Sequence, residues 1–148
     1  MRHQRLNLLL GGIGIVVASI GGFALGVSHA QYFPEGFYKI DLVRSLLKDA
    51  HNHGQPFAFF NLIVGLLLPH LALGQRGKAW LSYSAAASLL LPFGLFARGV
   101  AGGTMAFAPI TFTGGIAFLA AAFLVALGAW RMSGAKGGEV APEVNAGE

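Results

Sequence analysis

The densest run of groups able to hold a metal or move a proton is Asp49-Ala50-His51-Asn52-His53-Gly54-Gln55. Imidazole ligates metal ions and haem iron, and it relays protons near neutral pH. His51 and His53 stand two apart, so on a regular helix they point about 200° away from each other. Only a helix broken at Gly54 or Pro56 would aim both at one ion. His29 ends an earlier apolar stretch on the same side of the chain's path and is a candidate second ligand or hydrogen-bond partner. His70 lies about 25 Å further along a helix than His53, too far to join them. Asn61 is the polar residue nearest the cluster inside the apolar run that follows, placed either to bond between helices or to line a pocket. Arg98, at the end of another apolar run, suits snorkelling to an interface or pairing with an anionic group. Ser82, Ser84 and Ser88 suit bonds to their own helix carbonyls. The chain has no cysteine, which removes disulfides, thiolate metal sites and cysteine nucleophiles. It has no Ser-His-Asp set and no phosphate-binding glycine loop. Its six carboxylates all fall outside the apolar runs, which argues against a proton-coupled pump.

The elements that must position these groups are membrane helices. Hydrophobic residues make up 55% of the 148 positions and charged residues only 11%, against about 25% charged in a soluble domain. Too few charges remain to coat a globule in water. Four apolar segments run from about Leu6 to Val27, Phe57 to Leu73, Ala79 to Ala97 and Phe112 to Trp130. Each approaches the roughly 20 residues that cross a hydrocarbon core of about 30 Å. They are too continuously apolar for alternating barrel strands. The expectation is an all-α, four-helix transmembrane bundle over residues 1–131 and a disordered tail over 132–148. Orientation follows from the basic residues, which favour the cytoplasmic side. With both termini inside, Arg2, Arg5, Arg76, Lys78, Arg131 and Lys136 are cytoplasmic, and Lys39, Arg44, Lys48 and Arg98 are outside. The net charge of +4 is scattered between apolar runs, so it sets topology and does not form a nucleic-acid surface.

Tyr32, Phe33, Phe37 and Tyr38 suit an outer aromatic belt, with Trp80 and Trp130 at the inner one. The first segment has a basic start and Ser28-His29-Ala30 before Gln31, like a signal peptide, but it runs longer than the usual apolar core of about 7–15 residues. A retained helix is expected. Its Gly14, Ala18, Gly22 and Gly26 recur every fourth residue, a stripe on which another helix can approach closely. Leu42, Val43, Leu46, Leu47 and Ala50 form the apolar face of an amphipathic helix, lying at the interface or feeding straight into the second span. Pro56 sits where those two pieces meet, able to open one helix or kink a longer one.

Several of these segments, between about Lys48 and Phe123, resemble styrene oxide isomerase, a small four-span membrane enzyme. Ala50-His51 followed by a proline and a long apolar run is similar to that family's ligand segment. Leu68-Pro69, the Gly74 turn with Lys78, Gly94-Leu95-Phe96, Pro109 and Gly114-Gly115 fall at its other landmarks. The resemblance implies haem b bound by His51 at the outer start of the second span, a homotrimer with haem between subunits, and Lewis-acid opening of an epoxide to an aldehyde. It implies residence in a bacterial inner membrane and a small apolar substrate. The chain departs from the family at Phe57, where the resemblance places an active-site Asn, and at Phe96, where it places an active-site Tyr. His53 stands in place of a Gly. Asn61, one turn past Phe57, is the polar group that would take over a catalytic role, with Phe57, Phe59 and Phe60 as an apolar wall and Arg98 facing a haem propionate. Two other readings of the residues stay open: a non-enzymatic membrane subunit or small-solute carrier without haem, and a copper or zinc site built from His51 and His53.

Overall fold

The computed structural model describes residues 2–31 and 41–135, and every regular element among them is helical. In chain order these are α1 (Arg2–Gln31), α2 (Asp41–Leu67), α3 (Gln75–Ser88), α4 (Leu90–Val100), a 3-10 turn (Met105–Phe107) and α5 (Ala108–Ala135). The aromatic run Tyr32, Phe33, Phe37 and Tyr38 and the tail from Lys136 onward lie outside the described residues. Three stretches are long and apolar enough to cross a membrane: Arg2–Val27, Gln75–Val100 and Met105–Met132.

Helix α2 is about 40 Å long at 1.5 Å per residue, but its first half is too polar to count with those three. The amphipathic stretch and the second apolar segment as far as Leu67 are one uninterrupted helix that runs through Gly54 and carries Pro56 inside it, and the segment's last residues, 68–73, form the turn toward α3. The apolar face of the first half is covered by protein. Val43, Leu46, Leu47 and Ala50 are buried, and a methyl group placed on Gly99 at the end of α4 would come within 2.7 Å of Leu47 Cδ2. Just beyond, Gly102 and Gly103 take φ of 75° and 86°, the left-handed conformation that turns the chain toward α5.

The third apolar segment is a rod broken at Leu89 into α3 and α4. Pro92 explains the break: it has no N–H to offer the Ser88 carbonyl, and its ring crowds the preceding turn. The Leu89 N–H tightens onto Ala86 O at 3.3 Å. That leaves the Ala85 carbonyl to accept from Ser88 Oγ at 2.7 Å and from Asn61 Nδ2 at 2.8 Å.

The helices approach closely where side chains are smallest. Along α1 and α2, Leu8 meets Gly65, Gly11 meets Leu62 and Ala58, Gly14 meets Ala58, and Ala18 meets Gly54. The indices run in opposite senses, so the pair is antiparallel. Gly26, expected to continue the stripe, has nothing within 4 Å of an added Cβ. At the α4–α5 crossing, a methyl on Gly94 would lie 2.6 Å from Thr111 N, and one on Gly114 would lie 2.7 Å from Leu91 Cα. A leucine-rich core of Val64, Leu68, Leu71, Leu73, Leu81, Ala85 and Ala121 closes the end of the bundle holding the α2–α3 turn. The outward faces stay apolar and exposed, with Ile13, Val17, Ile20 and Phe23 on α1 and Phe112, Ile116, Leu119 and Phe123 on α5.

Candidate functional site

His51 lies partly buried in the α1–α2 seam. Its Nδ1 is 3.1 Å from the Ala18 carbonyl oxygen of α1. A carbonyl only accepts, so Nδ1 carries a proton, and in the neutral ring Nε2 then carries the lone pair. The ring fits because Gly22, one turn along α1 from Ala18, has no side chain: a methyl group there would lie 2.8 Å from both ring nitrogens. This is the tautomer and the backbone support that ligating histidines ordinarily have. Of the two imidazoles in this cluster, His51 is the one whose Nδ1 is held by another helix, leaving Nε2 as the nitrogen that could serve as a donor.

His53 is exposed, and its Nδ1 donates to the Asp49 carbonyl one turn back in its own helix at 2.8 Å. Its ring lies 6.0 Å from that of Phe57. Because α2 continues unbroken past Gly54 and Pro56, the two imidazoles stay on different faces, His51 against α1 and His53 beside Phe57. Among the described residues no three His, Cys, Asp or Glu side chains gather where they would hold a metal ion. His29 falls in the last turn of α1, and its side chain lies outside the described residues. His70 is exposed beside the α2–α3 turn.

Phe57 is buried and stacks on Phe118 of α5 with ring centroids 4.6 Å apart, and Phe60 meets the edge of the same ring at 5.0 Å. Phe59 faces outward. These contacts make an aromatic wall between α2 and α5. Asn61 is fully buried one turn below Phe57. Its amide donates to Phe57 O at 3.0 Å and to Ala85 O at 2.8 Å, and Oδ1 has no hydrogen-bond partner. Both amide hydrogens are thus engaged, one within α2 and one tying α2 to the broken rod. Arg98 ends α4 with Nε donating to Thr104 O at 3.3 Å and Nη2 3.1 Å from Met105 Sδ, which fixes the loop into α5. Arg44 pairs with Asp41 on the exposed side of α2.

One buried polar group was not singled out from sequence. Asn7 is fully buried and repeats the Asn61 pattern: Nδ2 donates to His3 O, one turn back, at 2.9 Å and to Ser82 Oγ of α3 at 2.6 Å. Its Oδ1 also has no partner. The available signal was an amide just inside the first apolar run, which in a helix of lipid-facing residues must turn toward protein.

No protein-family model, curated protein or solved structure matches this chain.

Proposed function

We propose that this chain is a four-span membrane protein of a bacterial inner membrane, with both ends cytoplasmic, that binds haem b through His51 Nε2 and acts on small apolar substrates as an isomerase-like Lewis-acid enzyme. The observation that carries the reading is the hydrogen bond from His51 Nδ1 to the Ala18 carbonyl, which sets the tautomer a ligand needs and holds the ring still. The fourth span is α2, whose apolar half and whose first half, covered by protein on its apolar face, together provide a length of about 40 Å. The exposed apolar faces of α1 and α5 suit lipid and neighbouring copies in a homotrimer.

Haem held by His51 would supply a Lewis-acidic iron. Around it, this chain's residues have separate tasks. The Ala18 carbonyl orients the imidazole and raises its basicity. Phe57, Phe60 and Phe118 form an apolar wall between α2 and α5, on another face of α2 from His51, so they would meet only a substrate that reaches that face. Asn61 is a helix-to-helix tie, since donating to a substrate oxygen would cost it the bond to Phe57 or to Ala85. Arg98 holds Thr104 through Nε alone, so its remaining guanidinium N–H groups could meet a carboxylate. His53, on another face from His51, would ligate only from a different position, so a second imidazole on the same iron is not expected from its own α2.

The test is the absorption spectrum of the protein purified from haem-replete cells. A Soret band at stoichiometric haem is expected. Colourless protein under those conditions would support the subunit or carrier reading in its place.

A further inference from the structure

We propose that Gly22 is a positioning residue for His51, which makes α1 a part of the ligand site as well as a membrane anchor. The inference rests on the reading of His51 as the haem ligand, but its geometry stands apart from it. A Cα–Cβ bond leans toward the N-terminus of its helix. A side chain at position 22 would therefore stand over the Ala18 carbonyl, the acceptor His51 uses. A methyl there would sit 2.8 Å from Nδ1 and 2.8 Å from Nε2, closer than the ring can tolerate. The imidazole would have to leave, and with it the hydrogen bond that selects its tautomer.

The other glycines of α1 supply controls. An added Cβ at Gly21 or Gly26 meets nothing within 4 Å. At Gly14 it meets Ala58 Cβ at 2.9 Å, disturbing the same seam without touching the histidine. A requirement for glycine that arises only from close helix approach would fall on Gly14 as heavily as on Gly22. A requirement set by the imidazole falls on Gly22 alone.

The experiment uses full-length protein labelled with 15N-histidine, as wild type and as Gly21→Ala, Gly14→Ala and Gly22→Ala. Nitrogen chemical shifts read the tautomer of His51, and haem titration reads affinity. Wild type, Gly21→Ala and Gly14→Ala are expected to keep the Nδ1-protonated form. Gly22→Ala is expected to lose it and to bind haem about 10–100-fold more weakly. Unchanged shifts and affinity in Gly22→Ala overturn the proposal, as does an equal loss in Gly14→Ala or Gly21→Ala. Should Gly22→Ala fail to fold, His51→Ala empties the slot, and Gly22→Ala is expected to fold in that background. Failure there too would overturn the proposal. Wild-type protein that shows the tautomer but takes up no haem would defeat the functional reading and leave the positioning role standing.

Discussion

An imidazole whose Nδ1 proton is committed to a carbonyl has a single lone pair to offer, and in this chain the partner comes from a different helix than the histidine itself. His51 reaches Ala18 of α1, whereas His53 folds back on its own α2. The cluster around His51 was legible in the sequence because ionisable groups beside an apolar run are conspicuous. Which histidine faced protein was not, since two positions two apart differ only in rotation about an axis that the sequence does not orient. Asn61 is a second case. Its place in an apolar run was plain, but its acceptor is freed by a break in another helix that depends on Pro92. Replacing Asn61 with Ala removes the bonds to Phe57 and Ala85 and leaves a small void, at a cost of about 1–3 kcal/mol. Equilibrium unfolding in mixed detergent measures it. Because Phe57 and Phe60 hold the aromatic wall through Phe118, haem content is expected to change far less than stability.

At the scale of elements, the bundle is set by where backbones can touch. Gly114 and Gly115 are adjacent in α5 and make opposite demands. A methyl on Gly114 would lie 2.7 Å from Leu91 Cα and 2.8 Å from the Leu90 carbonyl carbon, rigid backbone atoms of α4. A methyl on Gly115 would rest 3.6 Å from Leu91 Cδ1, an ordinary contact. Gly114→Ala should therefore destabilise by about 3 kcal/mol or more, beyond ordinary overpacking. Gly115→Ala should be neutral or slightly stabilising, because alanine favours the helix by about 1 kcal/mol. Thermal unfolding of the two variants side by side checks the pair. In the turn between α4 and α5, Gly102→Ala should cost about 1–2 kcal/mol for its left-handed backbone alone. The glycine stripe of α1 was readable from its four-residue period. Its end was not, because whether Gly26 meets a neighbour depends on how far α2 follows α1. The division of the third apolar segment at Leu89 was hidden for a similar reason: both halves contain apolar residues throughout, and only Pro92 marks the place where the hydrogen-bond ladder fails.

For the whole molecule, the sparse charge that makes water an unsuitable solvent is matched by apolar residues facing outward from α1 and α5. The all-helical architecture and three long apolar helices agree with that reading. The absence of cysteine makes topology simple to map. With both termini cytoplasmic, Gln75→Cys is expected to react with an impermeant maleimide only after the membrane is opened, and Gly102→Cys in intact cells. The reverse pattern would invert the assignment of His51 to the outer side. An oligomeric contact, by contrast, would leave no periodic mark in this sequence, because the exposed faces of α1 and α5 are apolar along their length.

The most direct measurement is haem occupancy of the purified full-length protein as single histidine-to-alanine variants at 51, 53 and 70, each produced with ample haem and checked for folding by helical content. His51→Ala is expected to lose the Soret band, while His53→Ala and His70→Ala retain it near the wild-type intensity. A folded His51→Ala protein that keeps its haem, or a His53→Ala protein that loses it, would contradict the assignment of His51 as the ligand.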